Sequence, residues 1–299
     1  MEPTLFVSVV LPTFNRAATL RRSIASVLDQ THRDLELIVV DDGSSDGTEG
    51  VVSAIRDDRI RYLRLDANAG QAAARNAGIR ASRADFVAFQ DSDDIWQPDK
   101  LSRQVRILKG DPGLGGVYCD LDRHWLNGTR LLIEAPNLTI GKYLDDRSSL
   151  YQTYGLGIQS CVFRKQVLAG AGGFREDLRC FEDLELILRI AHRHRMQRIP
   201  EALVGYFESE TSVSKNAADE RQARLFLLSR YGVRALARHP MHVAVEALRC
   251  VMLVRHPRKI LASLKQSLAG RFRRALQRTY HGGRMLIDRS RSALRKFFR

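Results

Sequence analysis

The chain has 299 residues, of which 44% are hydrophobic and 27% charged; these values exclude wholesale disorder and fit one large globular domain or one domain with an appendage. Its four cysteines, Cys119, Cys161, Cys180 and Cys250, are scattered without a C-x-x-C pair, which excludes a disulfide scaffold and a zinc ribbon and suits a reducing compartment. The net charge of +14 is uneven: residues 221–299 carry 20 Lys/Arg against two acids, Glu246 and Asp288, whereas residues 1–220 carry 28 basic side chains against 32 acidic ones. A near-neutral body and a strongly basic tail call for separate explanations.

The amino terminus has no basic stretch ahead of its apolar run, so 5–11 (L-F-V-S-V-V-L) reads as a first strand buried on both faces rather than as a signal peptide. No run of 18 apolar residues offers a bilayer span. Leu20, Ile24, Val27 and Leu28 recur at i, i+4, i+7 and i+8, the stripe of an amphipathic helix. A second buried strand at 37–40 (L-I-V-V) ends in the turn cluster D-D-G-S-S-D-G, and 59–65 alternates with period two. The pattern then predicts a helix over 71–81, a strand over 85–90 and a helix opened by Pro98. This alternation implies an α/β fold, a mainly parallel Rossmann-like sheet flanked by helices, whose ligands bind outside the carboxyl ends of its strands. Beyond 110 the pattern loosens: short strands are expected at 117–120 and 131–134, a helix with an acidic first turn at 181–190, and a helical basic extension after 216.

The strand ends deliver Pro12-Thr13-Phe14-Asn15, then Asp41-Asp42, then Asp91-Ser92-Asp93-Asp94. Any one of these acids alone reads as a solvated turn residue or a helix cap. Carboxylates converging on one rim repel one another unless a cation or a donor-rich ligand arrives. An Asp-x-Asp after a buried strand suits Mg2+ or Mn2+, hard ions that take few protein carboxylates and complete their shell with water and phosphate oxygens. Other nucleotide motifs fail. There is no G-x-x-x-x-G-K-[ST], and G-L-G-G-V-Y at 113–118 lacks the third glycine of a dinucleotide fingerprint. His192 and His194, two apart on a helical stretch, face different directions and make poor co-ligands.

The segments V-S-V-V-L-P-T-F-N-R, V-V-D-D-G-S-S-D-G-T, N-A-G-Q-A-A-A-R-N-A-G-I and F-Q-D-S-D-D-I-W-Q-P-D, followed by S-C-V-F-R-K, G-G-F-R-E-D-L and F-E-D-L-E-L-I-L-R-I, together resemble the inverting glycosyltransferase family 2 in order and spacing over roughly residues 5–215. The resemblance implies a GT-A fold over 1–215, with a nucleotide-sugar part (1–110) and an acceptor part (111–215), and leaves 216–299 outside it. It implies a nucleotide-sugar donor, UDP-linked in most cases, held by Pro12, Asn15, Asp42, Arg75, Asp91 and Ser92. It also implies a divalent metal, Mn2+ or Mg2+, on Asp93 and Asp91. Asp183 matches the catalytic base that takes the proton of the acceptor hydroxyl, Glu182 beside it is expected to be catalytic as well, and the acceptor would be a glycan or lipid-linked molecule of cell-envelope polysaccharide synthesis. One departure is visible. Where the family often reads Y-R-x-H, this chain has Tyr206-Phe207-Glu208-Ser209, so the Arg and His that could touch diphosphate or metal are replaced.

Two other function classes compete. A nucleotidyltransferase would also use acids and metal, but it should carry a Gly-rich phosphate loop after strand one, and L-P-T-F-N-R has no glycine. A membrane- or nucleic-acid-binding module with an inactive body would account for the tail but not for Asp93 and Asp183. Plotted as a helix, 284–299 gathers Leu286, Ile287, Leu294, Phe297 and Phe298 on one arc and its Arg and Lys side chains on the other, as an interfacial helix requires. The expectation is that 255–299 meets an anionic membrane surface, placing the enzyme peripherally on the cytoplasmic face; aromatic residues for base stacking are sparse, so no nucleic acid is expected.

Overall fold

A computed structural model of the chain describes residues 6–138, 156–208, 218–220, 222–223 and 225–227. These lie within one compact unit, Met1–Ala235; the second unit, Leu236–Arg299, and with it the expected amphipathic tail helix, falls outside the described residues. In chain order the strands are β1 (Val7–Thr13), β2 (Leu35–Asp41), β3 (Ile60–Arg64), β4 (Phe86–Phe89), β5 (Ile95–Trp96), β6 (Leu114–His124), β7 (Arg130–Ile133), β8 (Val162–Arg164) and β9 (Arg195–Phe207). The helices are α1 (Ala17–Leu28), α2 (Thr48–Ser53), α3 (Gln71–Ala81), α4 (Lys100–Gly110), α5 (Lys165–Ala171) and α6 (Glu182–Ala191).

The strands form one sheet in the order β3-β2-β1-β4-β8-β6-β9-β5, with β7 added to β6. The β1–β2, β1–β4, β2–β3 and β6–β9 pairings are parallel; the β4–β8, β6–β8, β6–β7 and β5–β9 pairings are antiparallel and none is longer than four residue pairs. The sheet is therefore mixed and mainly parallel. Every residue of β1 and β2 is buried, because helices cover both faces. Leu20, Ile24 and Val27 of α1 and Leu101, Val105 and Leu108 of α4 pack against Val7, Val9 and Leu37 on one face. Ala72, Ala74 and Ile79 of α3 and Leu186, Ile187 and Ile190 of α6 pack against Val10, Ile38 and Val40 on the other. Each such Leu, Ile or Val contributes roughly 1.5–3 kcal/mol when taken out of water.

The expected strand at 5–11 is shifted: β1 runs to Thr13, so Pro12 lies inside the strand opposite Val40 rather than in the loop after it. A proline is tolerated there because β4 pairs only with Val7–Val10, leaving no partner on that edge for the missing N–H. Pro98 does not open α4; it sits in a turn two residues ahead of Lys100. In β9 the pairing with β6 jumps from Ile199 to Ala202, so Pro200 and Glu201 are looped out as a bulge. Among the described residues no helix is long and apolar enough to cross a membrane.

Candidate active site

Because β1, β2 and β4 are parallel, their carboxyl ends share one rim. Asp42, just past β2, is buried; its Oδ1 and Oδ2 accept the N–H groups of Ala69 and Gly70, each at 2.8 Å, and its own N–H donates to the Thr13 carbonyl at 2.9 Å. It thus fastens the loop before α3 to the ends of β1 and β2. Asn15 has a positive φ of 51° and accepts the Ser45 N–H at Oδ1 at 2.8 Å, while its N–H donates to Ser44 Oγ at 2.9 Å. Asn15 and Asp42 thus hold the loops at one corner of the rim, at the end of the strand in which Pro12 is buried. Asp41 lies below it, its Oδ1 taking the Ser44 N–H at 2.8 Å and its Oδ2 the Tyr62 hydroxyl at 2.5 Å.

The turn after β4 carries the remaining acids. Asp91 Oδ1 accepts from Arg75 Nη2 at 2.8 Å, and Arg75 Nη1 donates to Glu182 Oε1 at 2.6 Å. Gln71 Oε1 takes a further bond from Nη2 at 3.2 Å, and the guanidinium lies 5.4 Å from the Phe174 ring. Arg75 is only 3% exposed. Burial opposes its charge, yet Asp91, Glu182 and Asp183 around it raise its pKa above the ordinary guanidinium range. One buried cation on α3 thereby ties the β4 turn to the start of α6. Ser92 is buried, and Asp93 is half-buried, with Arg16 Nη2 3.6 Å from its Oδ2 and Arg22 donating to its carbonyl at 2.7 Å. Burial and the neighbouring Asp91 push the Asp93 carboxyl up. Asp94 is fully buried and accepts the Phe207 N–H at 3.0 Å, which fixes the turn against the end of β9.

At the head of α6, burial raises the Glu182 pKa to about 7, opposed by Arg75 and reinforced by Asp183. Burial also raises Asp183, whose Oδ1 accepts the Leu184 N–H at 2.7 Å. The residue before them, Phe181, holds the left-handed conformation (φ 57°), a strained state for a side chain of this size. It is packed among Leu178, Cys180, Leu184, Ala223, Phe226 and Leu227, so the helical segment within 218–227 braces the turn that presents the two acids. Sequence reasoning missed Phe181, Gln71 and Phe174, because each matters through its neighbours rather than through its own chemistry.

Among the described residues no three His, Cys, Asp or Glu side chains are gathered as a ready metal cage. Asp91 and Asp93 offer two carboxylates on one turn, and burial together with Asp91 raises the Asp93 carboxyl, so that a cation there would favour its ionised form. That donor set fits a hard cation that draws its other oxygens from water and phosphate.

The model of the family described as Glycosyl transferase family 2 matches residues 8–169, more than half of the chain. The chain belongs to that family. This glycosyltransferase is 32% identical over 292 residues to "Succinoglycan biosynthesis protein ExoO" of Rhizobium meliloti (strain 1021), covering 89% of this chain and 82% of that protein. It is 42% identical over 102 residues to "UDP-Glc:alpha-D-GlcNAc-diphosphoundecaprenol beta-1,3-glucosyltransferase WfgD" of Escherichia coli, covering 34% of this chain and 40% of that one. Among solved structures it resembles S. aureus TarS 1–349 in complex with UDP-GlcNAc (TM-score 0.60, 21% identity, 75% of this chain and 66% of that one). It also resembles the mannosyltransferase PcManGT of Pyrobaculum calidifontis in complex with GDP-Man and Mn2+ (TM-score 0.60, 20% identity, 87% and 75%). Its curled, mainly parallel sheet flanked by helices is the GT-A fold.

Proposed function

We propose that this glycosyltransferase transfers a hexosyl unit from a UDP-linked donor to a glycan or lipid-linked acceptor by a single inverting displacement, with Mn2+ or Mg2+ bound at Asp93 and Asp91. The observation that carries the reading is the Arg75 bridge, which joins the acid turn after β4 to the acid pair at the head of α6. The names of relatives support the substrate classes: WfgD is a UDP-Glc-dependent glucosyltransferase acting on a diphosphoundecaprenol-linked sugar, and PcManGT is solved with a nucleotide sugar and Mn2+.

In this reading Pro12, Asn15, Asp42 and Ser92 border the nucleoside, while Arg75 stands near the diphosphate and orients Asp91. The cation, when bound, supplies positive charge against the diphosphate. Asp183 takes the proton of the acceptor hydroxyl as that hydroxyl's oxygen bonds to the anomeric carbon; burial raises this carboxyl, and a more basic carboxylate accepts the proton more readily. Glu182 keeps Arg75 in place. The catalytic body spans 1–215, and the basic extension, through 255–299, would hold the enzyme peripherally on the cytoplasmic face of an anionic membrane, where a lipid-linked acceptor is reached.

A panel of nucleotide sugars, incubated with the full chain with and without Mn2+, tests the reading by hydrolysis of the donor. One UDP-sugar should be consumed only with metal, and Asp183→Asn should stop its consumption while still binding it. Metal-independent turnover, or an Asp183→Asn variant as active as wild type, would overturn it.

A further inference from the structure

Beyond Leu121 the β6 strand runs on into a hairpin with β7, which pairs with β6 alone and so forms an open edge of the sheet. Its turn is tight: the Trp125 N–H donates to the Thr129 carbonyl at 2.9 Å, the Gly128 N–H to the Trp125 carbonyl at 3.0 Å, and Asn127 Oδ1 accepts the Thr129 N–H at 3.0 Å. Yet Leu126 is 59% exposed, Leu131 53% and Leu132 56%, so three of the five large apolar side chains exposed among the described residues sit on this one hairpin. Leu131 and Leu132 are consecutive in a strand and therefore point to opposite faces. A flat protein partner covers one face of such a hairpin, whereas a fluid apolar medium takes both.

Charge favours an anionic surface for that medium. From 123 to 133 the chain carries Arg123, His124 and Arg130 and no acid. The flanking acids are engaged: Asp122 is buried against Arg130 and His124, and Glu134 stands 3.7 Å from Arg198. Trp125, half-buried at the root of the turn, joins a broad apolar ring to one polar N–H, the side chain suited to the boundary between acyl chains and headgroups. Topology decides what this hairpin flanks. β6 and β4 both run antiparallel to β8, so β6 is parallel to β4 and β1, and its carboxyl end lies on the rim that carries the acid turn. Contacts join the two there: the His124 ring stacks on Phe207 at 4.5 Å, Arg22 lies 4.5 Å from the Phe207 centroid, and Arg22 donates to the Asp93 carbonyl at 2.7 Å.

We propose that the β6–β7 hairpin inserts Leu126, Leu131 and Leu132 into the acyl boundary of an anionic phospholipid leaflet, with Arg130 among the headgroups, and so turns the active-site rim toward the membrane. The inference rests on the peripheral membrane reading given under Proposed function and adds to it a second contact, on the catalytic body. Attraction between a basic extension and an anionic leaflet gathers the chain at the surface without fixing its orientation; an apolar hairpin at one rim fixes which side meets the lipid. A sugar linked to a lipid is then met on the side of the molecule that carries the acid turn.

The test uses the full chain at low salt with vesicles of phosphatidylcholine and phosphatidylglycerol in equal parts, with plain or brominated acyl chains. The two tryptophans of the chain are Trp96, buried in the core, and Trp125, so a response to lipid reports on the hairpin. Trp125 emission should shift to the blue on binding and be quenched by the brominated chains. The combined variant Leu126→Gln, Leu131→Gln, Leu132→Gln should bind the vesicles about tenfold or more weakly while melting as wild type does. Binding without quenching, or a triple variant that binds as wild type does, overturns this inference alone and leaves attachment to the extension; the quenching arm needs no variant and decides the matter if the triple variant is unstable. A wild type that sediments as a dimer beside a monomeric triple variant would assign the leucines to a second copy and overturn it as well. A wild type that binds no vesicles overturns the peripheral reading and this inference with it.

Discussion

Burying Arg75 between Asp91 and Glu182 strips three charges of water, and the arrangement is stable only while the partners remain together. Glu182→Gln keeps a hydrogen-bond acceptor but removes a charge; it is expected to lower transfer by roughly tenfold and to leave UDP binding measurable, as steady-state kinetics beside calorimetry would show. Asp183→Asn should cost about 10²–10⁴ in transfer with little change in UDP affinity, because the lost group acts on the acceptor. Loss confined to donor affinity would instead put Asp183 in the nucleotide site. Lys100 makes a different case. It is fully buried, with Nζ 2.8 Å from Gln104 Oε1 and 3.9 Å from the Trp96 ring centroid, and burial lowers its pKa to about 8. The unfolded chain holds this proton up to about 10.5, so between pH 8 and 10.5 the unfolded state binds more protons and the Lys100 contribution to stability rises with pH, by up to about 3 kcal/mol. Denaturant melts of wild type and Lys100→Met should show this slope only in the wild type. The acids of the site were legible because carboxylate clusters just past two buried parallel strands, Asp41-Asp42 and Asp91–Asp94, have few other reasons to gather. Lys100 was not, since a lysine in the sequence reads as solvated until its surroundings are known.

At the level of elements, α3 must lie close against β1 for Arg75 to reach both acids. A Cβ at Gly78 would come within 2.2 Å of Val10 Cγ1, so Gly78→Ala has to push the helix off the strand. The expected cost is about 1–3 kcal/mol, or roughly 2–4 °C of melting temperature per kcal/mol, with UDP affinity falling too because α3 carries Arg75. Unchanged melting and affinity would show that α3 can slide without disturbing the site. The helix over 71–81 and the first, second and fourth strands were readable because apolar runs and 3.6-residue stripes report burial directly. α2, β5 and β8 were not: they have six, two and three residues, too short for a period to register. β9 was hidden by Pro200 and Glu201, whose bulge interrupts its alternation.

For the whole molecule, the charge asymmetry sets the remaining question. A body of −4 and a tail of +18 should respond differently to an anionic surface, since each cation near such a leaflet contributes about 1 kcal/mol and salt screens it. Flotation with anionic liposomes should carry the full chain at low salt, lose it at high salt, and fail for a chain lacking residues 255–299. Equal flotation of the truncated chain would assign the tail another purpose. Calorimetry of UDP binding tests most directly whether the turn after β4 is a metal-dependent nucleotide site. Wild type with Mn2+ should bind UDP tightly, and affinity should collapse both with a chelator and in Asp93→Ala; equal affinity in all three conditions would contradict it.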